Sequence, residues 1–351
     1  MTIDVCDAVA PIAAEWDDLV ERTGAAPFGR PGWLEAWWRA FAAGELVIVT
    51  ARRRGRLVGV LPVRQRAGVL ASPTNAHSPG FGVVAEDSAA ARQLVAALFA
   101  LRPRRVQLDY VDAADRTLPE VHRAAVAARH GILRTTVQRS PYILLAGAGD
   151  LDRRLPGKVA RNLRRLHRRL EDIGSVQVEL ADGRSGLDAL LEEGFRIEPS
   201  GWKAERGTAI ASSALTRRFY TDVAGWAVEA GLLRLAFLRH DGRAIAFALA
   251  LQDSEAFYLI KGGYDPALRR FAPGKLLARA MVAHAAASGA RRFEFLGGEE
   301  PWKLEWTSEC HERLLVRTFA RTPLGTADRA AQAAYLRYGR PLAKRALARM
   351  R

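Results

Sequence analysis

The sequence predicts an α/β (α+β) chain made of two tandem copies of one unit, each with a mixed, largely antiparallel sheet, followed by a C-terminal helical tail. Three observations carry that prediction. The segment "GELVIVTARRRGRLVGVLPV" begins at Gly44 and "GLLRLAFLRHDGRAIAFALAL" begins at Gly231, an offset of 187. Each reads as a helix-ending glycine, a strand, a Gly-Arg turn and a second strand. The turn glycines, Gly55 and Gly242, keep the offset, and so do "RRVQLDYV" from Arg104 and "RRFEFLGG" from Arg291. One match of this kind arises by chance; three on one diagonal, with matching element types, mean duplication.

The elements follow in order. A tight hairpin makes the first two strands of each copy antiparallel. A later helix is expected at 88–100 (SAAARQLVAALFA) in the first copy and at 275–288 (KLLARAMVAHAAAS) in the second. Each copy then reads helix, strand, turn, strand, and after that strand, helix, strand. The expected division is 1–145, 146–322 and a basic tail over 323–351. That tail is rich in Ala and Arg and is broken at Gly339-Arg340-Pro341.

A chain of 351 residues accommodates two domains, and 49% apolar residues fill two cores. The net charge of +15 fits an anionic partner without naming one. Lysine is scarce: only Lys158, Lys203, Lys261, Lys275, Lys303 and Lys344 occur, so the 53 basic residues are nearly all arginine. Cys6 and Cys310 alone supply neither a disulfide framework nor a zinc cluster, which fits a reducing compartment. The acidic start MTIDVCDAVAPIAAEWDDL lacks the pattern of a signal peptide, and the apolar run at 45–50 is too short to span a bilayer. A cytoplasmic protein without stable membrane insertion is expected.

The strongest local signal is "YDPALRRFAPGKLL" at 264–277. It follows a strand-like run and opens an apolar helix. Arg269, Arg270, Gly274 and Lys275 cluster where the helix offers free amides and the positive end of its dipole. Gly274 of the second copy falls on Asp87 of the first, within "VVAEDSAAARQL". Acids there repel phosphate. Only the second copy is therefore dressed for a phosphate ligand. It is not a Walker A loop, since Leu276 follows Gly-Lys.

These residues resemble a known family. Arg-x-x-Ala-x-Gly at 269–274, between a strand and a helix, is similar to the pyrophosphate motif of GNAT acyltransferases. "RRFEFLGGEEPWKLEW", one helix later, narrows the resemblance to CelD/BcsL-type acetyltransferases, which have two tandem GNAT-like units. The basic helix "RNLRRLHRRLEDIG" (161–174) and "GWK" (201–203) extend it over most of 30–320. FemABX aminoacyltransferases are more distantly similar. Two departures stand out: Ala272 replaces the first motif glycine, and Trp302-Lys303 replaces a Tyr-Lys pair, which removes a phenolic proton donor.

The resemblance implies acetyl-CoA or another acyl-CoA as co-substrate, no metal, and an amine or hydroxyl of a small molecule or sugar as acceptor. It places the pantetheine arm along Ile260, Lys261 and Gly262, with a strand amide toward the thioester oxygen. Tyr264 stands at the end of that strand and joins the candidate catalytic set. Glu294 alternates with Phe293 and Phe295, so it faces the other side of its strand and is a candidate general base; an exposed strand residue is the competing expectation. Lys203 and Lys303, each beside a tryptophan, are candidate acceptor or phosphate ligands, or lysine stems packed on indoles. The helix at 156–171 carries Lys158, Arg161, Arg164, Arg165, Arg168 and Arg169 around a stripe of Val159, Leu163, Leu166 and Leu170. An anionic acceptor, the CoA 3′-phosphate or RNA fits it. "ECHE" (309–312) reads as structural, and His284 as a packing residue.

Three functions are thus expected in order: an acyl-CoA-dependent transferase, a FemABX-like transferase using aminoacyl-tRNA, and a non-catalytic scaffold.

Overall fold

The computed structural model describes residues 1–145, 156–197, 210 and 213–339. They form two compact units, and neither is one stretch of chain. The first holds Met1–Pro31, Ala43–Val137 and the chain from Glu312 onward; the second holds Gly32–Ala42 and Gln138–His311.

In the first unit, β1 (Thr2–Cys6) pairs with β2 (Glu45–Arg53), and β2 forms an antiparallel hairpin with β3 (Arg56–Arg66). The short strands β4 (Val69–Ala71) and β5 (Val84–Ala85) both pair with β3. Strand β6 (Arg105–Asp112) lies parallel to β4 and antiparallel to a strand from the far end of the chain, β13 (Cys310–Ala320). Helix α1 (Ala13–Thr23) precedes the hairpin, and α3 (Ser88–Ala100) covers it with Leu94, Val95 and Leu98 against Val49, Val63 and Leu108.

The second unit repeats the plan. Strands β9 (Leu233–His240) and β10 (Arg243–Gln252) form the hairpin, flanked by β8 (Val176–Ala181). Strand β11 (Ala256–Tyr264) pairs with β10 and runs parallel to β12 (Arg292–Glu294). Residues 138–144 of β7 (His130–Leu144) close this sheet beside β12. One face of the sheet is covered by α8 (Pro273–Ala287) and α5 (Gly157–Glu171). Phe257, Phe293 and Phe295 meet Leu277, Met281 and Val282 there, and Leu163, Leu166 and Leu170 join them. Val159 packs only at the margin of that cluster.

The duplication is visible in backbone angles. Arg54 and Gly55 have φ of 50° and 83°, and Asp241 and Gly242, 187 residues later, have 49° and 77°. Two left-handed residues in a two-residue loop match the right-handed twist of the flanking strands. The helices also repeat: α3 starts at Ser88, and 187 residues on lies Lys275, in the first turn of α8.

One irregularity matters for function. Lys261 pairs with Leu249 and Leu259 with Ala250, so Ile260 is an extra residue without a registered partner on β10. On the other side, the ladder between β11 and β12 stops at Tyr258 and Glu294. Strand β11 runs on to Tyr264 while β12 ends, so the parallel pair opens at the bulge.

Gly55→Ala and Gly242→Ala place a Cβ at φ near +80°, where a left-handed L-residue costs about 1–2 kcal/mol. Urea unfolding is expected to show matched losses of that size for the two variants, because the two turns are the same object.

Candidate active site

The helix start at 273 is built by backbone rather than by side chains. Asp265 accepts the Ala267 N–H at 3.0 Å and begins a 3₁₀ turn over Pro266–Phe271. Ala272 then takes a left-handed φ of 50°, and Pro273 fixes the first helical residue. Proline has no N–H, so the Gly274 amide is the first of the helix. No side chain caps this end. The ring of Tyr264 lies across Gly274: a Cβ there would stand 3.2 Å from Tyr264 Cδ1.

The first copy does the opposite. The Asp87 carboxylate accepts the Ala90 N–H at 2.8 Å and an Arg53 N–H at 2.7 Å. The helix amide first, and Arg53 second, hold this carboxyl below the usual range. The α3 start thus carries its own anion, while the α8 start carries none.

Cations gather beside α8. The Arg270 guanidinium lies 4.8 Å from the centre of the Phe271 ring, and Arg169 of α5 lies 5.7 Å from the same ring. Arg269 and Arg270 are exposed, as are Arg168 and Arg169. Among the described residues, no carboxylate pairs with any of these four. Lys275 differs from its neighbours. Its Nζ stands 2.8 and 2.6 Å from the two carboxylate oxygens of Glu305. Lys261 sends its ammonium to the Tyr220 ring, 5.4 Å from its centre, on the sheet face opposite α8. Gly262 is needed for close approach, since a Cβ would stand 3.1 Å from Phe247 O.

Glu294 also faces away from α8, and it is buried, with 4% of its surface exposed. The expectation of an exposed strand residue does not hold. Its Oε1 stands 3.2 Å from His311 Nε2, and Arg292 Nε stands 3.3 Å away, off the hydrogen-bond axis. Its Oε2 is buried and has no hydrogen-bond partner among the described residues. Tyr258 and Tyr142 are its cross-strand neighbours. Burial, then Asp253, pushes the Tyr258 phenol far up, and burial, then Glu309, pushes the Tyr142 phenol up. The His311 ring stacks on Tyr142 at 4.3 Å and 23°. The two tyrosines thus remain protonated beside a carboxylate and an imidazole.

His311 belongs to the "ECHE" run that the sequence marked as structural. Its neighbour Cys310 turns toward Glu299, at 3.8 Å, so the run alternates faces as a strand should. The sequence holds no spacing signal that joins Glu294 to His311. A short helix, α9 (Pro301–Leu304), and its flanking loops separate them.

Lys303 is buried, with 6% exposure. Its ammonium donates to Leu296 O at 2.7 Å and Gly298 O at 3.3 Å, and it pairs with Glu300. It folds the loop after β12 around itself. Leu296 and Gly297 take φ of 52° and 58°, and a Cβ on Gly297 would stand 3.2 Å from Nζ. Lys303 thus holds the edge of the opening between β11 and β12. Lys203 lies outside the described residues. His284 is half-buried, 3.3 Å from Gln252 Oε1, and burial lowers its pKa. No group of residues suited to a metal ion and no helix long and apolar enough to cross a membrane occurs among the described residues.

Residues 157–304 match the acetyltransferase (GNAT) domain family. No curated protein matches the sequence. Among solved structures, FemX superposes with a TM-score of 0.62 at 12% identity, covering 89% of this chain and 96% of that one. The C-terminal domain of a protein described as a lysylphosphatidylglycerol synthetase from Agrobacterium fabrum gives 0.61 at 14% identity, covering 94% and 97%. L-PGS from Bacillus licheniformis gives 0.57 at 10% identity, covering 90% and 94%. At these identities the likeness is one of fold.

Lys303→Met leaves buried carbonyls and Glu300 without their donor. A loss of about 1–3 kcal/mol is expected in denaturant unfolding. Lys303→Arg is not expected to restore it, because a larger planar guanidinium would have to replace a buried ammonium held 2.7 Å from Leu296 O.

Proposed function

We propose that this chain, which carries an acetyltransferase (GNAT) domain over residues 157–304, transfers an acetyl group from acetyl-CoA to an amine or hydroxyl of a small molecule or sugar. Its motifs resemble the CelD/BcsL type. The observation that carries the reading is the helix start at 273, which among the described residues has no side-chain cap, while Asp87 caps its counterpart in the first copy.

The residues fit the donor. The Gly274 amide, Arg269 and Arg270 suit a pyrophosphate, and Arg168 and Arg169 suit a further phosphate. Ile260, Lys261 and Gly262 supply a strand edge at the opening between β11 and β12. Bound acetyl-CoA supplies an activated acyl carbon. The acceptor nitrogen or oxygen attacks that carbon, and the carbonyl electron pair moves onto oxygen. A strand amide near the Ile260 bulge holds this oxyanion. Collapse breaks the carbon–sulfur bond, and the thiolate leaves. Glu294, backed by His311, takes the proton that the acceptor loses. Tyr264 shapes the helix start, Lys303 holds the loop edge, and Lys275, tied to Glu305, borders the donor site without bearing on its phosphates. The first unit binds no second donor.

A second reading has specific support. The arginines of α5 and the fold likeness to FemX fit a donor carried on tRNA. That reading predicts RNA binding that weakens steeply with salt.

Calorimetry with acetyl-CoA, paired with thiol release, separates these readings. Gly274→Asp is expected to lose binding at least a hundredfold. Gly274→Ala is the steric control and stays within about tenfold. Asp87→Ala keeps full binding and loses about 1 kcal/mol of stability with its cap. Glu294→Gln is expected to lower kcat about 10²–10⁴-fold with little change in donor affinity. No acetyl-CoA binding by folded wild-type protein overturns the first reading. Salt-sensitive tRNA binding then selects the second, and its absence leaves a scaffold without thiol release.

A further inference from the structure

The sheet of the second unit ends on a bare edge. Strand β8 pairs with β9 on one side, and among the described residues no strand pairs with its other side. The Asp241 N–H donates to Ser175 O at 2.9 Å, so residue 175 turns its carbonyl toward β9. Alternation then turns Gln177, Glu179 and Ala181 toward β9, and the N–H and C=O groups of Val176, Val178 and Leu180 face outward. Sheet edges are commonly blunted by proline, lysine, a bulge or a very short strand. Strand β8 has six residues with neither proline nor lysine, and its ladder runs from the Val176–His240 pair to the Ala181–Leu235 pair without a slip.

The side chains of this edge are bare as well. Val178 and Leu180 stand opposite Leu238 and Ala236 of β9, and Leu238 and Ala236 lie in the core beneath α5 and α8. Val178 and Leu180 therefore point to that same face, yet they are 42% and 36% exposed. Val176, at the start of the row, packs at the margin of that core. On the other face Glu179 carries the one charge of the strand, and Arg239 Nε donates to it at 2.7 Å. The edge thus offers backbone groups, an apolar row and a charge that is already paired.

The sequence of β8 complements itself in one antiparallel register. With Val178 opposite its own counterpart in a second copy, Val176 meets Leu180 and Gln177 meets Glu179. Residues 176, 178 and 180 then occupy the hydrogen-bonded positions and exchange their outward N–H and C=O groups. The apolar row closes on itself, and each Gln177 amide faces a Glu179 carboxylate. The neighbouring registers fit less well. Centring the pair on Glu179 sets two carboxylates face to face, and centring it on Gln177 places Leu180 opposite Gly174. We propose that the second unit's sheet continues through β8 into a second copy of this chain, giving a two-fold dimer centred on Val178. One short strand from each copy makes a small interface, so the dimer exchanges with monomer.

The test reads mass against concentration and needs neither donor nor acceptor, so its outcome is independent of the acyl-transfer reading. Sedimentation velocity of the full chain is run from about 1 to 200 μM, which spans the affinities of small interfaces. Wild-type protein is expected to pass from monomer to dimer across that range. Val178→Pro removes an outward N–H and spares the ladder to β9; Val178→Lys sets two ammonium groups against each other on the axis. Each is expected to weaken association at least tenfold while keeping the circular dichroism of the wild type. Val178→Glu alone is expected to behave likewise, and mixing it with Val178→Lys is expected to restore dimer, because position 178 faces itself only in this register. A wild type that stays monomeric throughout, a dimer untouched by both Val178→Pro and Val178→Lys, or lysine and glutamate variants that fail to combine overturns the proposal.

Discussion

The first turn of α8 presents the Gly274 N–H and the positive end of a helix dipole, and among the described residues no side chain caps it; the Lys275 and Leu276 amides already donate to Ala272 O. The residues on either side shape that helix start. Ala272 accepts a left-handed backbone and Pro273 removes a donor, so the Gly274 N–H is the first amide of the helix. Phe271 is buried and offers its ring to Arg169 and Arg270, which keeps two cations near the helix start without a carboxylate. An anion at a helix N-terminus gains about 0.3–1 kcal/mol, and a hydrogen bond to a charged group about 1.5–3 kcal/mol. For the proposed donor, these terms would place several kcal/mol of attraction for its phosphates apart from the atoms that react. Such remote binding energy is what positions a reacting carbon.

Buried charge marks the other end of the site. Glu294 and Lys303 are both nearly inaccessible, and both lie where β12 gives way to its loop. Lysine persists at 303 in an arginine-rich chain for a reason of size. A compact ammonium sits among the oxygens of Leu296, Gly298 and Glu300, beside Gly297. Trp302, in place of a tyrosine, packs on Phe295 at 5.4 Å and supplies apolar volume at that loop.

The sequence carried the architecture well because its signals were local. Hairpin turns at Gly55 and Gly242, strand alternation and the helix starts at 88 and 273 all depend on neighbouring residues. The common offset then supplied the one long-range fact needed. The contrast between Asp87 and Gly274 was legible for the same reason. What escaped was contact made by distant segments. His311 looked inert because nothing in its own stretch names Glu294. The pairing of Lys275 with Glu305 was hidden because Glu305 stands thirty residues on.

The interleaving of the two units has a consequence for how the chain is made. The strand at 312–320 completes the sheet of the first unit, yet it is made only after the second unit's Gln138–His311. Residues 32–42 are made early, yet they belong to the second unit. The duplicated gene therefore no longer yields two separable modules. The nascent N-terminal half holds an unfinished edge at β6 until its final strand arrives, and no single cut releases either half whole. Duplication supplied the parts, and the later exchange of segments made them one inseparable product.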